Sequence, residues 1–334
     1  MRKIWYILLA VVLAACEGKP ELEMTLHECA PMPSPRACAT AFVVGEEVYL
    51  FGGRDAEGTP LNDLWQYDSR SDRWISLGVT PLSPRVNATA CVANGKVYIG
   101  LGFRGREGRY GNDTTYLRDW WEFAPATGEW IRKEDYPNSY TNRATCFVEG
   151  ERLFVGYGFQ WNYRRDFFCY DIPTNRWDSI DVNAGFHGFP TRSFGGTGCT
   201  CRGRHFMGSG YYGGSLDWWG ELAVEEKQED GSVKGHWIRR AGIPGQSRTL
   251  AASCATQEYI YLSGGMHYGG INTTMRGLQD IRRYNPTTDR WEWVCNLPVG
   301  LINHISFAIG KRVYSGLGET VDTEINNRIY YIEE

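Results

Sequence analysis

Beyond residue 16 the chain has no second long apolar run, so no later segment reads as a membrane-crossing helix. Basic residues are in short supply. There are 35 Lys and Arg against 39 Asp and Glu. Such a balance offers no phosphate backbone a basic face, which excludes nucleic acid as a partner. No Gly-x-Ser-x-Gly elbow, phosphate loop or zinc signature occurs, which removes the commonest hydrolase, nucleotide and metallo-enzyme readings. Cys199-Thr200-Cys201 is too tightly spaced for a usual zinc pair, and no second pair matches it. Histidine is sparse as well: His27, His187, His205, His236, His267 and His304 are the whole set. Neither a metal nor a cofactor is expected.

The N-terminus is different in kind. Met1, Arg2 and Lys3 give a positive start, Ile4 to Leu13 is almost unbroken apolar sequence, and Leu13-Ala14-Ala15-Cys16 follows. The run is too short and wrongly flanked to span a membrane, and it reads as a secretory signal peptide. Its last four residues match the bacterial lipobox, in which the cysteine is acylated and becomes the first mature residue. Residues 1–15 are therefore expected to be a lipoprotein signal and 16–24 a polar, lipidated tether. Acyl chains on Cys16 would hold the protein on a bilayer, each buried methylene adding about 0.8 kcal/mol. The expected location is the bacterial cell envelope, at the outer membrane. Without Arg2 and Lys3, 33 of the 35 basic residues remain against 39 acidic ones, and no acidic residue precedes Glu17.

What the chain has in plenty is glycine, 40 residues, with 13 tryptophans and 20 tyrosines, a composition that suits an all-β chain rich in tight turns. It also repeats. An apolar strand ending in paired or alternate glycines recurs at Gly53, Gly102, Gly158, Gly210, Gly265 and Gly318, with spacings of 49, 56, 52, 55 and 53 residues. After five of these comes an acidic or amide residue with an aromatic four positions on: Asp63 and Tyr67, Asp119 and Phe123, Asp166 and Tyr170, Asp280 and Tyr284, Asn327 and Tyr331. In four repeats a tryptophan follows seven residues later, at Trp74, Trp130, Trp177 and Trp291. A period near 50 residues is that of one four-stranded propeller blade.

These coupled landmarks resemble the Kelch family over nearly all of residues 25–334. The resemblance implies an all-β, six-bladed Kelch β-propeller. Two departures stand out. The fourth repeat has Asp217-Trp218-Trp219 and then a polar insert, Glu225 to Gly235, before Trp237. The sixth shows no tryptophan strand after Tyr331. Thr25 to Pro31 is expected to supply that strand, because it precedes Arg36 as Trp74 precedes Arg85. Pairing with Arg328 to Ile332 would close the ring and remove its free edges.

Cys91, Cys199 and Cys254 share a register with Phe42 and Phe307, so core packing is expected for them. A Cys29–Cys38 bridge is an open alternative, because sequence does not fix connectivity.

Strands in a blade alternate direction, so loops before the first strand and after the second emerge on one face. The first set offers Arg36, Arg85, Arg143, Arg192 and Arg248, with Asn303 and His304 in the last repeat. The second set offers Arg54, Phe103, Phe159, Tyr212, His267, Tyr268 and Glu319. Guanidinium groups fork onto carboxylates and aromatic faces stack on sugar rings, so this mouth is expected to take an acidic sugar or glycan. The bland alternative is that the arginines bond loop carbonyls and the aromatics pack loops.

Kelch propellers include sugar oxidases, a sialic acid mutarotase and many binding platforms. A copper radical oxidase needs two histidines and two tyrosines around its metal, and only His267 and His304 fall at the mouth, so that chemistry is disfavoured. Two readings remain. One is a non-catalytic propeller that binds a glycan or a protein partner. The other is an isomerase similar to the Kelch sialic acid epimerase, with Glu319 as acid or base and Arg36 or Arg248 on the carboxylate.

Overall fold

A computed structural model of the protein describes residues 24–105, 115–137, 141–160, 162–163, 166–182, 193–225, 233–270 and 273–334. Cys16, His187 and Arg192 lie outside the described residues.

Among the described residues the longer elements are all strands, and they form six blades. Blade one is Thr40–Val44, Glu47–Phe51, Asp63–Asp68 and Arg73–Val79, hydrogen-bonded in that order. Blades two and five repeat it, from Thr89–Ala93 to Glu129–Lys133 and from Ala252–Ala255 to Arg290–Asn296. Blades three and four, opened by Thr145–Glu149 and Phe194–Cys201, merge into one eight-stranded sheet. Their outer strands pair in parallel there, Ile180 opposite Val233 and Asp181 opposite Lys234. The insert lengthens the outer hairpin of blade four, Val224 pairing with Gly235, and residues 226–232 lie outside the described residues. Asn94 and Gly95, both left-handed at φ 52° and 72°, close the tight turn of blade two, where a primed hairpin turn demands that conformation.

Blade six closes the ring as the repeat arithmetic expects. His27 pairs with Tyr331 and Glu28 with Tyr330, outside the strand Ile329–Glu333. Trp74 Nε1 of blade one donates to the Ala30 carbonyl at 3.2 Å, and the Ala30 N–H donates to Asp72, which also accepts from Tyr67 Oη. Blades three and five repeat the clip: Trp177 onto the Glu134 carbonyl and Trp291 onto the Ala241 carbonyl. Three of the four tryptophan landmarks are thus stitches to the preceding blade, while Trp130 stacks on Phe123 of its own blade.

The core lies between blades. Phe42, Phe51 and Leu64 of blade one interlock with Val97, Ile99 and Phe123 of blade two. A seam between blades six and one gathers Cys29, Val48, Leu50, Phe307 and Tyr314. Each sheet buries both faces, so removing one blade would bare two others.

The cysteine expectation needs one correction. Cys199 and Cys254 are core thiols, but Cys91 forms a disulfide with Cys146 of blade three, their Cα atoms 6.2 Å apart. Cys29 and Cys38 are both buried, and no disulfide joins the two. The reason lies in the stagger of neighbouring blades. Where Cys91 meets Cys146, Cys254 meets Ser306, whose hydroxyl donates to Sγ at 3.2 Å. The partner sits one register position earlier than its cysteine, so comparing equal positions hides it.

Candidate functional site

The repeated arginines do not open onto the mouth. Arg36, Arg85 and Arg248 are all but fully buried, and each forks onto the acidic landmark of its own blade: Asp63, Asp119 and Asp280. The Arg85 pair is typical, with Nη1 2.7 Å from one Asp119 oxygen and Nη2 2.8 Å from the other. The same Nη1 donates to a carbonyl sixteen residues on, that of Gly52, Leu101 or Gly264. Trp65 and Trp121 indoles donate to the same carboxylates, and Arg282 takes that place beside Asp280. Burial alone would raise these three carboxyls; the guanidinium forks outweigh it and hold them below their usual range. These forks give the three arginines a structural role; the Nε of Arg36 and Arg85 also donates to the Ser34 and Ser83 carbonyls, whereas Arg248 Nε is buried without a partner.

Arg143 is different, and its register corrects the sequence reading. It stands two positions after the arginine register, level with Cys38, Asn87, Gly195, Leu250 and Asn303; Thr141 occupies the arginine position of blade three and donates to the Tyr157 carbonyl. All six residues of that level are left-handed, with φ between 53° and 64°. Only Gly195 adopts that conformation at no steric cost. Backbone bonds link the level from blade to blade: Cys38 N–H to the Asn303 carbonyl at 2.8 Å, Asn87 to Cys38 at 2.9 Å, Leu250 to Gly195 at 2.8 Å. This belt holds the level's six residues, five of them with side chains, at the channel mouth, lining a cavity of about 220 Å³.

Arg143 reaches across that mouth. Its Nη1 donates at 2.6 Å to Oδ1 of Asn303, 160 residues away in sequence and in the opposite blade of the ring. Asn303 Nδ2 in turn donates to Glu319 Oε1 at 2.7 Å, and Arg54 Nη2 donates to the other Glu319 oxygen. A carboxylate only accepts, so Glu319 fixes the Asn303 amide with its oxygen toward Arg143. Glu319 is 2% exposed, and both its oxygens are engaged. It is a positioning residue in this arrangement.

The other expected residues divide. Phe103 is buried against Tyr116, with Val86 and Ala37 in the same cluster, and so packs a loop. His267 is half-buried, its Nδ1 2.9 Å from the Ser247 carbonyl. Phe159 and Tyr268 stay half-buried at the rim, and Tyr212 is 48% exposed. His304 is buried between blades five and six, Nε2 2.9 Å from Ser263 Oγ, while Nδ1 has no hydrogen-bond partner. Its counterparts in four other blades are Ala39, Ala88, Ala144 and Ala251. Sequence reasoning missed Asn87, the left-handed level, and the rim ring Phe194; counting two residues past each arginine register would have found the level. Among the described residues no three His, Cys, Asp or Glu side chains group as metal ligands.

Six four-stranded blades, closed by an N-terminal strand and pinned by repeated Arg–Asp forks, define a Kelch-type propeller. The chain belongs to the Kelch-repeat family: the model of the KLHDC2/KLHL20/DRC7 Kelch-repeats domain matches residues 21–214. It is 23% identical over 275 residues to Kelch-like protein 25 of Xenopus tropicalis, covering 82% of this chain and 43% of that protein. Kelch-like protein 34 of Homo sapiens is 32% identical over 110 residues, 32% of this chain and 17% of that one. The chain thus spans less than half the length of these relatives. The solved structure of YjhT superposes with a TM-score of 0.71 over 90% of this chain and 95% of its own, at 15% identity, a likeness of fold.

Burial holds His304 neutral, its pKa depressed from 6.5 to about 4. The unfolded chain protonates this imidazole as pH falls through 6.5, whereas the native protein does so only near 4. Stability is therefore full above pH 6.5 and falls by about 3 kcal/mol between there and 4, at ~1.4 kcal/mol per unit. His205, also depressed by burial, adds to the same window. In thermal melts across pH 4 to 7, His304→Ala should flatten the acid loss relative to the native protein; an unchanged profile would remove His304 from the account.

Proposed function

We propose that this propeller is a binding protein that takes a small carboxylate-bearing ligand, an acidic sugar by class, at the channel mouth. The observation that carries this reading is the contrast among its arginines. Arg36, Arg85 and Arg248 are sealed by aspartates, whereas Arg143 is half-buried at the cavity and holds the neutral oxygen of Asn303. A carboxylate forked onto that guanidinium makes a stronger, charge-assisted contact than an amide does. The cavity, about 220 Å³, lies below the range of drug-sized pockets, which supports a sugar-sized ligand over a folded partner seated in the channel. Engagement of both Glu319 oxygens by Arg54 and Asn303 supports binding over the ring-opening chemistry of an epimerase.

Isothermal titration with D-galacturonate tests the reading. Arg143→Ala should weaken binding by about tenfold to a hundredfold, since a hydrogen bond to a charged group contributes about 1.5–3 kcal/mol. Its melting temperature should hardly move, because Arg143 is partly solvated. Proton NMR of freshly dissolved galacturonate should show anomer exchange at the buffer rate. Unchanged affinity in the variant, or accelerated exchange, would contradict the reading.

We further propose that the propeller is tethered to an envelope membrane through acylated Cys16, from the apolar run and lipobox before it. Cys16→Ala should move the protein from the membrane fraction to the soluble one, or leave it unprocessed. A mature, membrane-bound Cys16→Ala protein would refute the tether.

A further inference from the structure

Among the described residues few large apolar side chains are left in solvent, and three of them share one edge of the mouth face. Tyr212 is 48% exposed, Met275 51% and Val299 40%. Tyr212 and Met275 stand in the loops after the second strands of blades four and five, and Val299 in the loop before the first strand of blade six. The three loops touch. The Ser215 N–H donates to the Tyr268 carbonyl at 2.8 Å, which ties the first loop to the second. A Cβ on Gly300 would lie 2.5 Å from the Gly277 carbonyl carbon, so the second and third loops meet backbone to backbone. Ile75, Leu77, Val79 and Ile131, also exposed, lie apart on the outer strands of blades one and two.

The N-terminal segment arrives at the same edge. The Met24 N–H donates to the Val294 carbonyl at 3.3 Å, and Met24 packs on the cluster that holds Val294 together with Leu297 and Leu301, the residues on either side of Val299. Eight residue steps separate Met24 from Cys16. At about 3.5 Å per step the tether reaches at most about 28 Å, against a radius of gyration of about 20 Å for a domain of this length. An anchor at Cys16 therefore keeps this edge close to the bilayer, whichever way the ring turns. Charge agrees. Residues 211–216, 265–279 and 296–304 contain no Asp or Glu, in a chain that has 39 of them, and Arg276 beside Met275 is exposed. An anionic headgroup layer meets no carboxylate on these loops, and a basic side chain next to an apolar one suits an interface.

We propose that this edge is a membrane-docking surface, at which Met275, Val299 and Tyr212 enter the headgroup layer of the bilayer that holds the acyl chains of Cys16. The inference rests on the reading of Cys16 as the acylated anchor and adds an orientation to it. The tether makes the contact intramolecular in effect, so three side chains suffice where they would not hold a free protein. Tyrosine, an apolar body with a polar tip, suits that layer. Docked in this way, the propeller rests the blade-four and blade-five side of its mouth against the membrane.

Photolabelling of the native, full acylated protein tests the proposal. The protein is incorporated into vesicles of phosphatidylethanolamine and phosphatidylglycerol that carry a diazirine-bearing phosphatidylcholine, and the lipid adducts are mapped by mass spectrometry. Adducts should be at least about fivefold denser on residues 273–279 and 296–302 than on the opposite-face turns 256–258 and 310–311, since an interfacial surface sinks about 5–10 Å into the headgroup region. Met275→Glu combined with Val299→Glu should strip the adducts from both loops and keep those on the segment before Met24. The mapping on the native protein needs no variant, so a misfolded double variant does not blunt the test. Adducts confined to the segment before Met24, or spread evenly over both faces, overturn the docking and leave the tether standing. Protein that stays out of the vesicles overturns both.

Discussion

A guanidinium taken out of water must find partners for its donors, and a carboxylate beside it must be held charged. That demand organises every blade in which it occurs. Arg36, Arg85 and Arg248 each join the strand-entry loop to the glycine turn and to the acidic landmark of the third strand. Three segments of a blade converge on one buried fork. The glycines belong to the same arrangement: a Cβ on Gly53 would lie 2.6 Å from the Ala37 carbonyl oxygen, the loop that the Arg36 fork holds in place. With the loops fixed, the left-handed level above them is fixed too, and with it the belt of backbone bonds around the channel.

On this rigid rim the blades diverge. Where a fork fills an arginine, its chemistry is spent within the fold. Where the level two residues later carries Arg143, a charge faces the cavity. The Arg54–Glu319–Asn303 relay sets the posture of that arginine from the far side of the mouth. Opposite the relay, Phe159, Phe194, Tyr211 and Tyr268 pack in turn along the rim.

Most of the fold was legible in the sequence because blades repeat. The glycine, aspartate and tryptophan landmarks recur at fixed offsets, and the absent outer strand of blade six could be placed at Thr25 to Pro31 by the same count. The site was far less legible, since two chemically identical residues met opposite fates. Arg85 and Arg143 both precede a first strand, yet a two-residue offset sends one into a buried fork and the other across the channel. Sequence spacing marked Asp119 as a landmark without saying which arginine it would hold. The Cys91–Cys146 bridge was hidden by the stagger between neighbouring blades. Phe103 and Phe159 occupy equivalent positions, yet the first is buried against Tyr116 and the second is half-buried at the rim.

The central claim is that the buried forks hold the propeller together. A double-mutant cycle on Arg85 and Asp119, read by chemical denaturation, tests it most directly. Arg85→Leu and Asp119→Leu should each cost about 3–5 kcal/mol, because each strands a buried charge. The double variant should cost well under the sum, since it leaves no orphan. Small and additive losses would contradict the account and return Arg85 to the surface chemistry of the mouth.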